Sequence, residues 1–579
     1  MKRFHAIIFL FFMCATAWAQ PEFQLSSTSD IVATAQPKHE VRAVWLTTIG
    51  GIDWPHSYAQ SAASIRRQQQ ELCQTLDRLQ RIGINTVLLQ TRIRATTIYP
   101  SALEPWDGCL SGKPGRSPGY DALQFAIGEC HRRGMELHAW VVTIPVGKWN
   151  AEGCRRLRKS HPELLKRIGQ EGYMNPEAPG TANYLADICA EITRAYDVDG
   201  IHLDYIRYPE TWQQRVSKAE GRDCITRIVR QIHRRVKALK PWVKLSCSPI
   251  GKHDDLPRQW SHGWNARTTV CQDAQAWLQE GLMDMLFPMM YFRGQNFYPF
   301  AADWQEASAG RMVCPGLGIY FLSPREKNWP LLDISREMEV LRAQGMGQAY
   351  FRSKFLTDNT KGVYDYAQRQ FYLSPALVPP MSWTGQQAPE PPSDLSLVPM
   401  EPKEDGKSAA SVLSWSHAQA ADTLHTLFNI YVSRELPVDI SRAENLMLTN
   451  YRRTSLLVPS DASLHYAVTA TNRYGLESLP LQEPGAYEKA SSAPRQPSVS
   501  LLSCDGRTLL LPEKAALVDA SYLSIETLQG TIATVLPRQG RQVDVSRLPV
   551  GHYTVHTLGR KGVTHNLGHF AIAPSSRGL

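Results

Sequence analysis

The run Asp199-Gly200-Ile201-His202-Leu203-Asp204-Tyr205-Ile206-Arg207-Tyr208-Pro209 alternates apolar and polar side chains. On a β-strand that period of two puts His202 and Asp204 on one face, and Asp199 on the other, at the strand's start. A strand-end aspartate amid aromatic and cationic residues suits chemistry on sugars. Carboxyls break the bond, flat rings cover C–H faces, and forked donors read hydroxyls. Asp204 is therefore the leading catalytic candidate, as nucleophile or general base; the competing reading is an ion pair with Arg207 or another rim arginine. Glu104, flanked by Pro105 and Trp106, is the first choice for a general acid, because neighbouring aromatics would desolvate it and raise its pKa. A loop-ordering glutamate is the plainer alternative there, and Asp53 is the runner-up. Arg42, Arg92, Trp106, His138, Trp140, His202, Tyr205, Arg207 and Tyr291 are expected to bind substrate or set pKa values, each against a packing role. Asp199 and Asp284 begin their strands and are expected to tie down structure. His138 and His202 lack a clear third ligand, so no metal is expected, nor any other cofactor.

The elements that must position these groups alternate in type. Strand-like runs fall at 41–48, 84–92, 135–143, 199–206, 243–249, 283–291, 312–320 and 347–352. Between them lie amphipathic stretches such as 62–81, 120–134, 181–195 and 221–239. Eight strands separated by helices predict parallel βαβ units and an α/β fold of the (β/α)₈ TIM-barrel kind over residues 39–375, with active residues at the C-terminal strand ends. A doubly wound open sheet is the alternative, weakened by the absence of a Gly-rich phosphate loop after the first strand. A Pro/Gln-rich linker at 373–395 closes the barrel region. Two small all-β sandwich domains are expected to follow. In the first, residues 389–487, Trp415 and the Tyr466-x-Val468-x-Ala470-x-Asn472 pattern resemble a fibronectin type III domain, with Tyr466 as its corner tyrosine. The second spans 498–579, after a Ser/Ala/Pro linker at 488–497.

Composition bounds the class. Of 579 residues 43% are hydrophobic and 20% charged, which is ordinary globular protein and too long for one core. Lys2 and Arg3, the apolar run Ala6 to Met13 and Ala17-Trp18-Ala19 read as a signal peptide over 1–19, cut before Gln20. Phe11-Phe12-Met13 argues against a lipobox at Cys14. The expected destination is the periplasm or cell surface. No later stretch approaches the ~20 apolar residues of a transmembrane helix. Removing Lys2 and Arg3 takes the formal charge from +9 to +7, which fits an anionic glycan and gives no reason to invoke nucleic acid. The cysteines show no C-x-x-C pair or zinc spacing, and buried thiols are the plain expectation, with a disulfide or two open to an exported chain.

R-A-V-W-L near the start, Q-T-R-I-R-A-T-T-I-Y-P-S, the E-P-W-D-G-C-L-S-G to M-E-L-H-A-W stretch and D-G-I-H-L-D-Y-I-R-Y-P together resemble the glycosyl-hydrolase-like 10 family, in order across roughly 40–360. The resemblance implies a TIM barrel with glycosidase activity, in a family with bacterial envelope members acting on peptidoglycan glycan strands, including strands stripped of peptide. The chitinase pattern D-x-x-D-x-D-x-E is not met. His202 stands at its second acid and Ile206 at its glutamate, and Phe292 follows Met289-Met290-Tyr291 where aspartate is required. A two-carboxylate mechanism is the better default. The expected function is thus an exported glycoside hydrolase of peptidoglycan-type glycan. A non-catalytic glycan-attachment scaffold and a hydrolase of dietary or capsular polysaccharide are the alternatives.

Overall fold

The computed structural model describes residues 36–257, 259, 264–400, 410–419 and 425–483. In the C-terminal region it describes 502–505, 507–511, 522–527, 532–537, 540–549, 551–559 and 562–572. The leader expected at 1–19 and the linker at 488–497 lie outside the described residues.

Eight parallel strands carry the first region: β1 (Arg42–Leu46), β2 (Thr86–Arg92), β3 (Glu136–Val142), β4 (Gly200–Asp204), β5 (Lys244–Cys247), β6 (Met285–Leu286), β7 (Met312–Val313, resuming as Gly316–Leu317) and β8 (Gln348–Tyr350). Each pairs in parallel with its neighbours in sequence, and β8 pairs with β1. β7 is split because Pro315 has no N–H to give to the ladder. Its first half pairs with β6 and its second with β8. The Cys314 amide donates to the Leu286 carbonyl (2.9 Å) and the Ala349 amide to the Pro315 carbonyl (3.1 Å). The sheet therefore closes on itself, as eight βα units predict.

Alternation sorts the side chains into two layers. Ala43, Trp45, Leu88, Trp140, Phe287 and Ala349 fill the barrel interior. Val44, Leu46, Val87 and Leu89 face outward, into a layer shared with the helices. Helix Ala62–Arg81 starts on a reciprocal cap between Ser61 and Ser64 and buries Leu72, Leu76 and Leu79 at helical spacing. Each such leucine contributes about 2 kcal/mol by burial, so Leu76→Ala would loosen its seat by about 2–5 kcal/mol. Between β3 and β4 an excursion unmarked by the strand pattern adds antiparallel strands Pro145–Lys148, Leu165–Ile168 and Glu171–Met174.

The barrel's N-terminal mouth is tied to segments far along the chain. Asp199 accepts from the Leu137 amide (2.8 Å) and Asp284 from the Leu245 amide (2.8 Å), each fixing a neighbouring strand. Arg473 donates to Asp197 (2.7 Å) and Asp199 (3.0 Å), and Trp383 to Asp284 (3.3 Å). Burial pushes the Asp199 carboxyl up, but His131 and Arg473 outweigh it and hold it far below the usual range.

The described strands between Ser393 and Gln482 form antiparallel sheets of three and four strands around Leu413, Trp415, Phe428, Ile430, Val458 and Val468. Tyr466 is buried there too, but its hydroxyl has no partner among the described residues. Among the described residues, therefore, no corner hydrogen bond of the fibronectin kind is made by Tyr466. Beyond it, strands between Thr508 and Ile572 enclose a small apolar core that includes Leu523, Ile525, Val555 and Phe570. Among the described residues every cysteine is a free thiol, and no helix is long and apolar enough to cross a membrane.

Candidate active site

The C-terminal mouth is built on β4. Its inward parity delivers His202 and then Asp204, one layer higher. Trp45 Nε1 lies 3.2 Å from His202 Nε2, and His202 Nδ1 lies 3.0 Å from Ser246 Oγ. An indole N–H can only donate, so Nε2 accepts and the ring hydrogen sits on Nδ1. Burial, and then the neighbouring His138, hold the imidazole well below its ordinary range. It is a neutral, fully buried spacer packed edge-on to Trp45 and Phe287. The expectation that His202 touches substrate is corrected.

Asp204 crowns that stack. Its Oδ1 accepts from the Tyr205 amide (2.8 Å) and from Ser248 Oγ (2.9 Å), and its Oδ2 accepts from Trp140 Nε1 (3.1 Å). Tyr205 adopts a left-handed backbone, φ 53°, and its own amide bonds the carboxylate just before it. The Asp204 carbonyl accepts from both the amide (2.9 Å) and hydroxyl (2.8 Å) of Thr143. Side chains from β3 and from just past β5 thus clamp one carboxyl on β4. It keeps 7% of its surface open. Burial raises its pKa above the ordinary carboxylate value, against the pull of Ser248, the Tyr205 amide, Arg207 and Trp140.

Aromatic rings line the rim above. Tyr205 is exposed and carries the Arg207 guanidinium 4.6 Å from its ring centre. Tyr291 stacks edge-on to Tyr320 (5.7 Å) and lies 5.4 Å from Phe351. Burial, then Tyr320 and Asp204, push the Tyr291 phenol well up. Tyr205 is raised by burial and by the charges of Asp204 and Glu210, against Arg207 and Arg94. Trp140, Asp204, Tyr205, Arg207 and Tyr291 are thus brought together.

The remaining expected residues are elsewhere. Arg42 has outward parity at the barrel's other end, bonded to Glu40 (2.7 Å) and to the Ser374 carbonyl (2.6 Å). Arg92 and Glu104 form a bidentate ion pair (2.7 and 2.8 Å), which Tyr184 joins at 3.1 Å. A register slip between Gln90 and Arg92 breaks the period of two and turns the arginine toward the outer layer. Glu104 is thus held in a buried pair and is not a free proton donor. His138 points inward but deep, bonded to Glu136 (3.0 Å) and fully buried. A Cβ on Gly200 would sit 2.5 Å from its ring, which explains the glycine of the β4 motif. Trp106 is half-buried against the outer core. Asp53 is occupied by Thr47, Arg352 and the Lys354 amide.

Sequence reasoning misses Ser248, which clamps Asp204, and Trp45, which seats His202 beneath it. Ser248 and Trp45 have the inward parity of their own strands, the signal that would find them. Glu210 directly follows the motif, in the loop where such a barrel keeps its chemistry. Among the described residues no cluster of three or more His, Cys, Asp or Glu could hold a metal. Cavities of about 720 and 320 Å³ open at the N-terminal mouth, the larger one lined by Arg81, His131, Arg133 and Tyr451. Those arginines and loops carry no reacting pair, and catalytic groups in this fold gather at the C-terminal ends instead.

The family model described as glycosyl hydrolase-like 10 matches residues 40–315. The glycosyl hydrolase YngK of Bacillus subtilis is 30% identical over 401 residues, covering 62% of this chain and 77% of that protein. The glycosyl hydrolase DigH of Escherichia coli K12 is 29% identical over 334 residues, 50% of this chain and 76% of that one. Among solved structures, the PgaB glycoside hydrolase domain of Bordetella bronchiseptica aligns with 57% of this chain and 98% of its own, at 13% identity and a TM-score of 0.41.

Proposed function

We propose, for a chain that belongs to the glycosyl hydrolase-like 10 family, that the barrel's C-terminal mouth hydrolyses glycosidic bonds of a cell-envelope polysaccharide, and specifically the glycan strands of peptidoglycan. The observation that carries the reading is the Asp204 carboxyl: inward on β4, clamped from both neighbouring strands, raised in pKa and set below aromatic rings. Burial that favours the protonated form suits a carboxyl to give a proton. Asp204 therefore moves from nucleophile or base, as the motif alone suggests, to general acid. Oδ1 already takes two donors and Oδ2 only one, so Oδ2 carries the proton to the leaving oxygen.

Tyr205 and Tyr291 supply faces for sugar rings, and Arg207 holds Tyr205 in place. The Ala17-Trp18-Ala19 leader supports an exported protein, and the mild positive charge suits an anionic wall. Residues 389–487, read as a fibronectin-type module, and the small C-terminal β domain would hold the barrel at that wall. A non-catalytic glycan-binding barrel is the second reading. One observation favours it: the 7% exposure of Asp204.

Incubation of the purified protein with peptide-free strands, intact peptidoglycan and an acidic capsular polysaccharide, followed by product mass spectrometry, separates these. Shortened glycan from the peptide-free strands supports the proposal. Binding with no product from any of the three supports the scaffold.

A further inference from the structure

Hydrolysis by the Asp204 carboxyl needs a second group to activate water or attack carbon. Both acids the sequence offers as partners to Asp204 are sealed in ion pairs, Glu104 with Arg92 and Asp53 with Arg352, each acidic side chain 1% exposed. The loop after β4 supplies another. Glu210 lies six residues beyond Asp204, with 44% of its side chain open to solvent. Arg207 Nη2 donates to its Oε1 at 2.8 Å, while the same guanidinium sits 4.6 Å from the Tyr205 ring centre. One arginine, itself 3% exposed, thus orients both the acid and the ring. Tyr205 feels the charges of Asp204 and Glu210 together. Glu210 also acts on Tyr173, in the hairpin strand Glu171–Met174. Tyr173, which hydrogen-bonds Thr211 beside Glu210, and the exposed Arg94 therefore share this rim with Tyr205.

We propose that Glu210 is the second catalytic carboxylate, the base that activates the attacking water. The inference rests on the glycosidase reading above. Burial divides the labour: the enclosed carboxyl gives a proton, and the solvent-open one meets water. In the step, water oxygen bonds to the anomeric carbon and gives its proton to Glu210. The bond from that carbon to the leaving oxygen breaks, and that oxygen takes the Asp204 proton. Both carboxyls then exchange protons with solvent and are restored. Arg207 is a positioning residue in this scheme.

The test uses the full chain acting on peptide-free glycan strands, with Glu210→Ala, Glu210→Gln and Asp204→Asn beside the wild type. Both Glu210 variants should lose at least a hundredfold in kcat/KM in a protein still folded at the assay temperature, with melting recorded beside turnover because the buried Arg207 loses its carboxylate partner. The acid limb of the pH profile should disappear. Azide should restore turnover to Glu210→Ala and leave a glycosyl azide product, which a merely structural glutamate would not allow. An active wild type, an inactive Asp204→Asn and a Glu210→Ala within threefold of wild type would overturn this proposal and leave the glycosidase reading intact. An inactive wild type would overturn both.

Discussion

Replacing Glu104 by glutamine separates a structural pair from a proton donor. In the structure the carboxylate meets the Arg92 fork at 2.7 and 2.8 Å, and both side chains are all but sealed. Glutamine keeps the shape but removes the charge and turns a donor toward the guanidinium. Breaking one partner of a buried pair costs about 3–5 kcal/mol. Arg92 keeps its bonds to the Val142 and Thr143 carbonyls, so the lower end applies. At roughly 2 °C per kcal/mol for a large domain, melting should fall by about 6 °C. Turnover below that transition should stay within about threefold of the parent. Circular dichroism melts beside a reducing-end assay give both quantities. An Arg92→Met, Glu104→Gln double variant should melt above the sum of the single losses, because the orphaned charge has gone too. Unchanged melting with turnover down a hundredfold would refute the reasoning and return Glu104 to the chemistry.

Ser248→Ala removes a donor that favours ionised Asp204. The carboxyl pKa should rise further, so the alkaline limb of kcat/KM moves to higher pH while its maximum falls about tenfold; a limb moving down would contradict the acid assignment. Glu337, 1% exposed with neither oxygen partnered among the described residues, is raised by burial and then by Asp333 to about 9. It folds protonated and ionises on unfolding, so its contribution is fully present below the unfolded pKa near 4.5 and declines as pH rises toward 9. Urea unfolding should find Glu337→Met more stable than the parent by about 3 kcal/mol at pH 7 and close to it near pH 5. A gap independent of pH would contradict the buried acid.

The barrel was legible because eight β-branched runs alternate with helices, and Asp204 because period two places it at a strand end. The same rule failed at Arg92, where a slip in register, invisible to residue type, turned the side chain over. It failed for Arg42 by omission: parity and position at the start of β1 already pointed it outward and down. The neighbours of Glu104 along the chain suggest a desolvated acid, yet its environment comes from Arg92 and from Tyr184 on helix Pro179–Ala195. His202 has the right parity but sits one layer too deep, under Trp45. Contacts across the barrel are what one sequence withholds. The Tyr205 backbone, which bends an amide onto its preceding carboxylate, is likewise a property of the folded loop.

Asp204→Asn puts the account at most direct risk. Asparagine keeps an acceptor for Ser248 and the Tyr205 amide but meets Trp140 with a donor, so its melting temperature is recorded alongside turnover. Single-turnover cleavage of peptide-free glycan strands, followed from pH 4 to 9, should fall at least a thousandfold and lose its alkaline limb in a still-folded protein. Cleavage of those strands at the parental rate by folded Asp204→Asn would show that this carboxyl is not the proton donor.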